Sequence, residues 1–372
     1  MTVLGQRGIT IDGTYARIVL VSIFVLSLYF YMVFKPRVQG ERKLIISLIA
    51  FGLLFYSTRL FHSTTPDAFN LYNGQLLRWG ADCVPACLIG VSLIKLNDYS
   101  YIHKILPWLC LLLTPFMSYG VLTMGKDNGQ YFLDGGFNYQ VIAYQMAVMC
   151  CYSFYYTFIY KNKSNALLKI ITCVAMMIQA ATCLMSGGRG GVVLLFAYML
   201  YMIYFLYKWK GVSFVKIIFF GIAILAAMAI VANYMGVMDS AGFARASGLM
   251  DDKDRYEQWG QYIPYLSEHM LLGWGLGGDY FTVGFYSHNI FLDWYLETGV
   301  IGTLVLFHIF LKSYKRLVTL TTMDDIYIVV MIYFIYGLVF NLFSGYWISQ
   351  NSNWLLFGIA ATYSYEYNKR NA

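Results

Sequence analysis

Charge is scarce in this chain. Only 12% of its 372 residues are Asp, Glu, Lys or Arg, against 59% that are hydrophobic, and a soluble fold of that length needs far more polar surface. Water is therefore excluded as its main solvent. Paired cysteine spacing is missing too: of seven Cys, Cys110, Cys150, Cys151 and Cys173 stand inside apolar stretches with no CxxC and no nearby His. They read as small core hydrophobes, so neither a metal centre nor another cofactor is expected. No small-residue cleavage site follows the first apolar run, and Met1 to Arg17 carries Asp12 among other polar residues, so a cleaved signal peptide is not expected. Internal repeats and low-complexity tracts are absent as well, which withholds direct support from an inverted-repeat transporter.

What the chain has instead is apolar runs. Stretches long enough to span a bilayer fall near 17–34, 43–60, 80–96, 105–122, 139–160, 167–185, 191–208, 213–235, 289–311, 325–344 and 350–366. They predict an all-α, polytopic transmembrane bundle of about eleven helices. The run around Asp82 and Pro85 is the least regular of them. Aromatic residues reach 19%, with 34 Tyr and 27 Phe, and many stand at run ends, where amphipathic rings favour the headgroup layer.

The net charge of +7 does not indicate nucleic acid, because the Lys and Arg are scattered through short loops and form no basic face. They report orientation. One set of alternate loops holds Lys35, Arg37, Arg42, Lys43, Lys95, Lys104, Lys161, Lys163, Lys169, Lys208, Lys210, Lys216, Lys312, Lys315, Arg316, Lys369 and Arg370, about 17 against about 9 on the other side. The richer set is expected in the cytoplasm, with the N-terminus outside and the C-terminus inside. The expected organisation is then residues 1–235 with about eight spans, an extracytoplasmic loop 236–288 containing short helices, and residues 289–372 with about three more spans. The acidic cluster Asp251, Asp252 and Asp254 in that loop does not oppose the placement, since the rule concerns positive charge in short loops.

Three places depart from lipid-facing composition. Ser186-Gly187-Gly188-Arg189-Gly190-Gly191 separates two apolar runs with almost no loop. An arginine near the membrane is costly unless it meets a cavity or a partner, and glycines at a helix start let backbone N–H groups approach a phosphate. The alternative is a tight outer turn with a snorkelling Arg. The second place is the long loop, where Arg255, Tyr256, Gln258 and Trp259 precede Pro264 and Gly273-Trp274-Gly275-Leu276-Gly277-Gly278. Gly273, Gly275 and Gly278 fit GxGxxG, but without a preceding strand or βαβ context this is no dinucleotide site. The glycines instead permit a tight backbone path, and Arg255 taken alone reads as a surface ion-pair partner of the nearby aspartates. The third place is Ser287-His288-Asn289, where a helix enters the outer leaflet. From there Asn289, Asp293 and Glu297 recur every four residues as one polar stripe expected to face the bundle interior.

Taken in order, the Ser-Gly-Gly-Arg-Gly-Gly turn, Arg255 ahead of Trp259 and the Gly-Trp-Gly-Leu-Gly segment, and His288-Asn289 with Glu297, Gly299 and Gly302 resemble the bacterial O-antigen ligase and polymerase superfamily of GT-C-like membrane glycosyltransferases. The resemblance covers about residues 180–310, and its most specific part is HN-x₂-L-x₄-E-x-G-x₂-G. The chain differs from the usual ligases in being shorter and in having about eleven expected spans instead of their usual twelve.

The resemblance implies an enzyme that joins glycans carried on undecaprenyl diphosphate to an acceptor hydroxyl at the outer face of the bacterial cytoplasmic membrane, by inverting transfer and without a metal. Such transfer needs a base at the acceptor hydroxyl and cations at the departing diphosphate, where negative charge grows. His288 is the candidate base, since an imidazole with a reference pKa of about 6.5 is available in its neutral form near neutrality. Arg189 and Arg255 are the candidate diphosphate ligands, through forked charge-assisted hydrogen bonds that lysine does not reproduce. Glu297, Asn289 and Asp293 are supporting residues. Glu297 is expected to orient the histidine helix or neutralise a buried cation, without touching His288.

An apolar groove would take the polyprenyl tail. The compact chain favours a polymerase of O-antigen, capsule or exopolysaccharide repeat units, with donor and acceptor both lipid-linked and a chain-length regulator as a candidate partner. A ligase acting on lipid A core or a protein is the alternative. A transporter of lipid-linked glycan is the second, and it would carry ionisable groups at mid-membrane on several helices.

Overall fold

The computed structural model describes residues 41–62, 66–95, 100–124, 131–132, 137–160, 166–208, 210–237 and 253–371. The predicted run 17–34, the polar N-terminal segment, and Asp251 and Asp252 lie outside the described residues, as do the side chains of Asp254 and Arg255. In chain order the helices are α1 (Glu41–Thr58), α2 (Pro66–Arg78), α3 (Val84–Lys95), α4 (Ser100–Met124), α5 (Tyr139–Phe154), α6 (Ala166–Met185), α7 (Arg189–Lys208) and α8 (Phe214–Tyr234). They continue as α9 (Lys253–Gly260), α10 (Ile263–Leu266), α11 (Asp279–Thr282), α12 (Ile290–Thr321), α13 (Ile326–Phe343) and α14 (Asn351–Asn371). Two-residue strands β1 (Tyr131–Phe132) and β2 (Phe137–Asn138) pair antiparallel just before α5. The fold is that of an all-α polytopic bundle.

Every predicted run from 43–60 onward coincides with a helix. Seven helical stretches among the described residues are long and apolar enough to cross a membrane. The charged start of α1 (Glu41, Arg42, Lys43), the Tyr and Gln content of α5 and the polar end of α14 set those helices apart from the seven. The irregular run at 80–96 proves to be the second half of a longer path. A widened π turn, Trp79–Cys83, joins α2 to α3, and the candidate span runs Asp67–Leu93. Asp67, Asn70, Asn73 and Gln75 hide its first half from a hydropathy reading.

The chain packs as two compact units, one drawn from Asp98–Asp252 and Ile328–Val339, the other from Thr2–Asn97, Lys253–Tyr327 and Phe340–Ala372. In the first, α5 packs against α6 and α7. Gly188, Gly190 and Gly191 stand so close to Ala143 and Tyr144 that a Cβ at any of them would overlap those residues. Small residues at a membrane helix interface permit this approach. Polar side chains add bonds between helices: Gln179 donates to Thr114 Oγ1 at 2.7 Å, Ser118 and Thr182 hydroxyls meet at 2.8 Å, and Tyr198 donates to the Ile332 carbonyl at 2.7 Å. In the second unit, Gly90 of α3 and Gly358 of α14 let the two backbones touch. Phe51, Trp79, Trp347 and Trp354 interlock beside them, with ring centroids 4.9–6.0 Å apart.

Candidate active site

The site in the second unit is built on a broken helix. Within α12, Gly299 takes φ 62 and ψ −168, so the carbonyls before it and the amides after it lose their intrahelical partners. A loop backbone replaces them. Trp274 N–H donates to the Leu296 carbonyl at 2.8 Å and Gly275 N–H to the Glu297 carbonyl at 2.8 Å. In return, Val300 N–H donates to the Met270 carbonyl at 2.8 Å and Ile301 N–H to that of Leu271 at 3.3 Å. Unpaired backbone is expensive in an apolar surrounding, so loop and break require each other. Gly273, Gly275 and Gly277 all have positive φ (68, 87 and 77), and a Cβ on them would strike Glu297 backbone, Thr58, and Tyr72 with Phe55. The glycine run is therefore a tight backbone path laid on α12, as its rejection as a dinucleotide fingerprint anticipates.

Glu297 completes that dock. Its buried carboxylate accepts from Gly277 N–H at 3.0 Å, from Trp347 Nε1 at 2.8 Å and from the Tyr346 hydroxyl. Its hydrogen-bond donors are an amide, an indole and a phenol, so it ties the glycine loop and the Tyr346-Trp347 segment to α12. Asp293 and Asn289 are likewise engaged locally. The Asn289 side chain caps α12 by accepting from Phe291 and Leu292 N–H. Asp293 Oδ1 accepts from Ser287 N–H at 2.9 Å and from Ser287 Oγ at 2.5 Å. The predicted stripe faces inward, and its three members fix backbone.

His288 stands between these locks. It is half-buried and, with φ 59, the one residue other than glycine with positive φ among the described residues. Such a conformation marks a position held by its surroundings. Ser287 on one side is tied to Asp293, and Asn289 on the other caps the helix. Trp259 Nε1 of α9 donates to the Ser287 carbonyl at 2.9 Å. The His288 ring meets Tyr286 edge-on with centroids 4.4 Å apart, and Tyr286 packs on Tyr346 at 5.4 Å. Arg255 lies on α9 one turn before Trp259, so α9 belongs with His288 in the second unit. Arg189, half-buried, is the first residue of α7 and belongs to the first unit. The glycines beside it are taken up by packing on α5, which leaves the Arg189 side chain, not an open backbone cradle, as the feature available for chemistry there.

Sequence reading missed Asp279, the first residue of α11, which is wholly buried beside Glu297. Burial pushes its carboxyl well above the ordinary range, and the charges of Glu297 and Asp293 push it further. The adjoining Gly277-Gly278 was the only signal. His62 was also missed: its Nε2 lies 2.8 Å from the Trp274 carbonyl, and its ring stacks on Phe281 at 5.0 Å. With His269, Trp274, Leu54, Thr298 and Val305 it lines a mostly apolar cavity of about 860 Å³ in this unit.

Residues 173–307 match the family model described as O-antigen ligase. That stretch contains Arg189, Arg255, His288 and the broken part of α12, so the resemblance to the O-antigen ligase and polymerase superfamily is borne out where its motifs lie. No curated protein matches the chain. Its several apolar helices describe a multi-pass membrane protein, and the match makes residues 173–307 similar to the O-antigen ligase family.

Proposed function

We propose that the protein is a lipid-linked glycan polymerase, joining undecaprenyl-diphosphate-linked repeat units at the outer face of the cytoplasmic membrane by inverting transfer. The observation that carries the reading is His288, locked at φ 59 at the start of α12 inside the stretch that matches the family model. In this mechanism neutral His288 takes the proton of the acceptor hydroxyl as its oxygen attacks the anomeric carbon opposite the diphosphate. The bond to the diphosphate breaks, and Arg189 and Arg255 hold the charge that collects on it. The apolar cavity beside Trp274 would take the polyprenyl tail, which is the reason for a sugar-joining enzyme to stay within the bilayer.

A polymerase is favoured over a ligase by compactness: residues 253–288 form only short helices, and their glycine run Gly273–Gly278 lies against α12. The ligase reading is kept because the matching family model is described by that activity. Glycan banding from a deletion strain complemented with wild type or Arg189→Gln, with membrane abundance measured, separates them. A well-expressed variant that leaves one repeat unit on its acceptor supports the polymerase. Accumulated lipid-linked polymer supports the ligase, and full-length glycan from the variant removes Arg189 from the site.

A further inference from the structure

The cavity beside Trp274 has a direction. On α1 its lining passes from Phe51 and Leu54 to Ser57, Thr58 and His62, and on α12 from Leu306 and Val305 to Thr298 and Glu297. The polar ends meet at the glycine loop, because Gly275 stands against Thr58 and Gly273 against Glu297 and Thr298. Leu54, Phe61 and Val305 of the lining are exposed, so the cavity opens sideways through apolar surface of the kind that faces lipid tails. A cavity polar at one end and apolar at the other fits an amphiphile, with its head at the loop and its chain between α1 and α12.

Most donors at the polar end are already spent. The Ser57 and Thr58 hydroxyls donate to the Leu54 carbonyl at 2.9 and 3.3 Å, and that of Thr298 to the Trp294 carbonyl at 2.6 Å. The amides of Gly273, Trp274 and Gly275 are bound to carbonyls of His269, Leu296 and Glu297, and the Trp274 indole donates to the Tyr265 carbonyl at 3.1 Å. Two imidazoles remain, both resting on one indole, with the His62 and His269 rings 5.9 and 4.3 Å from that of Trp274. His62 Nε2 lies 2.8 Å from the Trp274 carbonyl, which can only accept, so Nε2 carries the proton and Nδ1 is left over. Neither Nδ1 of His62 nor the His269 ring has a hydrogen-bond partner among the described residues. Of the side chains at this end, only the imidazoles can still turn a donor toward a ligand.

Joining two lipid-linked units means holding two diphosphates. Arg189 and Arg255 are assigned to the one that departs, where charge grows, and the acceptor lipid keeps its own. We propose that His62 and His269 bind the diphosphate of the acceptor lipid, with its polyprenyl tail in the cavity between α1 and α12. The inference rests on the polymerase reading and adds two ligands to it, His62 from outside the matched stretch. Neutral His269 has one N–H to give. His62 spends its N–H on Trp274 and donates from Nδ1 only as the imidazolium, so binding takes up a proton and weakens as pH rises. The other charged groups on the surrounding elements are otherwise engaged or turned away: Arg59 lies over the Tyr56 ring at 3.7 Å, Glu297 is met by three donors, Asp279 of α11 is wholly buried, and Glu268 is exposed.

The test uses the full chain in lipid nanodiscs, titrated at about pH 6 and about pH 8 with undecaprenyl diphosphate capped by one glucose, whose phosphates keep their charge over that range, and separately with uncharged undecaprenol. Wild type is expected to bind two capped lipids per chain, one of them about tenfold more weakly at the higher pH. His62→Gln keeps a donor for the Trp274 carbonyl, loses the titrating nitrogen and is expected to abolish that pH dependence. A pH dependence that persists in His62→Gln, or is missing from wild type, overturns the inference. Tighter binding at the higher pH overturns it too, since that is the sign expected if Nδ1 accepted from a sugar hydroxyl. If His62→Gln does not yield monodisperse protein, His269→Gln at its exposed site decides: weaker binding at about pH 6 supports the pair, and wild-type binding overturns it. A wild-type protein that does not distinguish the capped lipid from undecaprenol sinks the proposed function itself, whereas loss in Arg189→Gln with none in His62→Gln sinks only this inference.

Discussion

His288 carries two demands at one residue, a left-handed backbone and an imidazole. Asn tolerates positive φ better than other non-glycine residues, so His288→Asn keeps the turn while removing the base. Asp279 makes the opposite case, a titratable group whose environment opposes its charge. Its carboxyl is raised well above the reference value of 3.8, so the folded state holds a proton that the unfolded chain releases. The associated stability is complete below that reference value and is lost as pH rises toward the folded value. Asp279→Asn, similar in shape and never charged, is expected to melt higher than wild type at about pH 8, with the difference shrinking toward about pH 4. Thermal unfolding at the two pH values, in detergent or nanodiscs, measures it. A difference independent of pH would place the proton elsewhere. His288 and the polar stripe were legible in the sequence because they interrupt an apolar pattern. Asp279 and His62 were not, since an Asp after two glycines and a His at a helix end are ordinary until tertiary packing buries them.

At the scale of elements, the broken α12 and the loop laid into it form one device. The sequence shows a continuous apolar run over 289–311 and a glycine-rich loop, and the tight backbone path of the glycines follows from composition. The break at Gly299 does not, because a helix is interrupted there only when another backbone replaces the missing bonds. Gly299→Ala meets two obstacles: its φ 62, ψ −168 backbone lies in a region essentially reserved for glycine and costs other residues about 1–3 kcal/mol, and the added methyl overlaps the Leu271 backbone. The variant is expected to melt lower and to lose activity, with the loop 269–277 becoming accessible to protease. Unaltered melting and protection would mean that the loop does not depend on the break.

Across the whole molecule, hydropathy located the helices from 43–60 onward, and charge counting supplied an orientation. The polar first half of the path Asp67–Leu93 escaped because a hydropathy window sees side chains and not the π turn that joins α2 to α3. The expected orientation puts the α9–α11 segment outside. A single cysteine at exposed Ser267, introduced by Ser267→Cys, is then expected to react in intact spheroplasts with a membrane-impermeant maleimide. One at exposed Thr322, the residue after α12, is expected to react only after lysis. The seven native cysteines, six of them buried, make a usable background. The reverse labelling would turn the topology over and put the site in the cytoplasm.

The most direct measurement is glycan chain growth by the purified protein in proteoliposomes supplied with lipid-linked repeat units, comparing wild type with His288→Asn at matched folding and matched undecaprenyl diphosphate binding. Loss of a general base predicts a fall in rate of about a hundredfold or more, with lipid binding retained. Chain growth at the wild-type rate in His288→Asn would contradict the account.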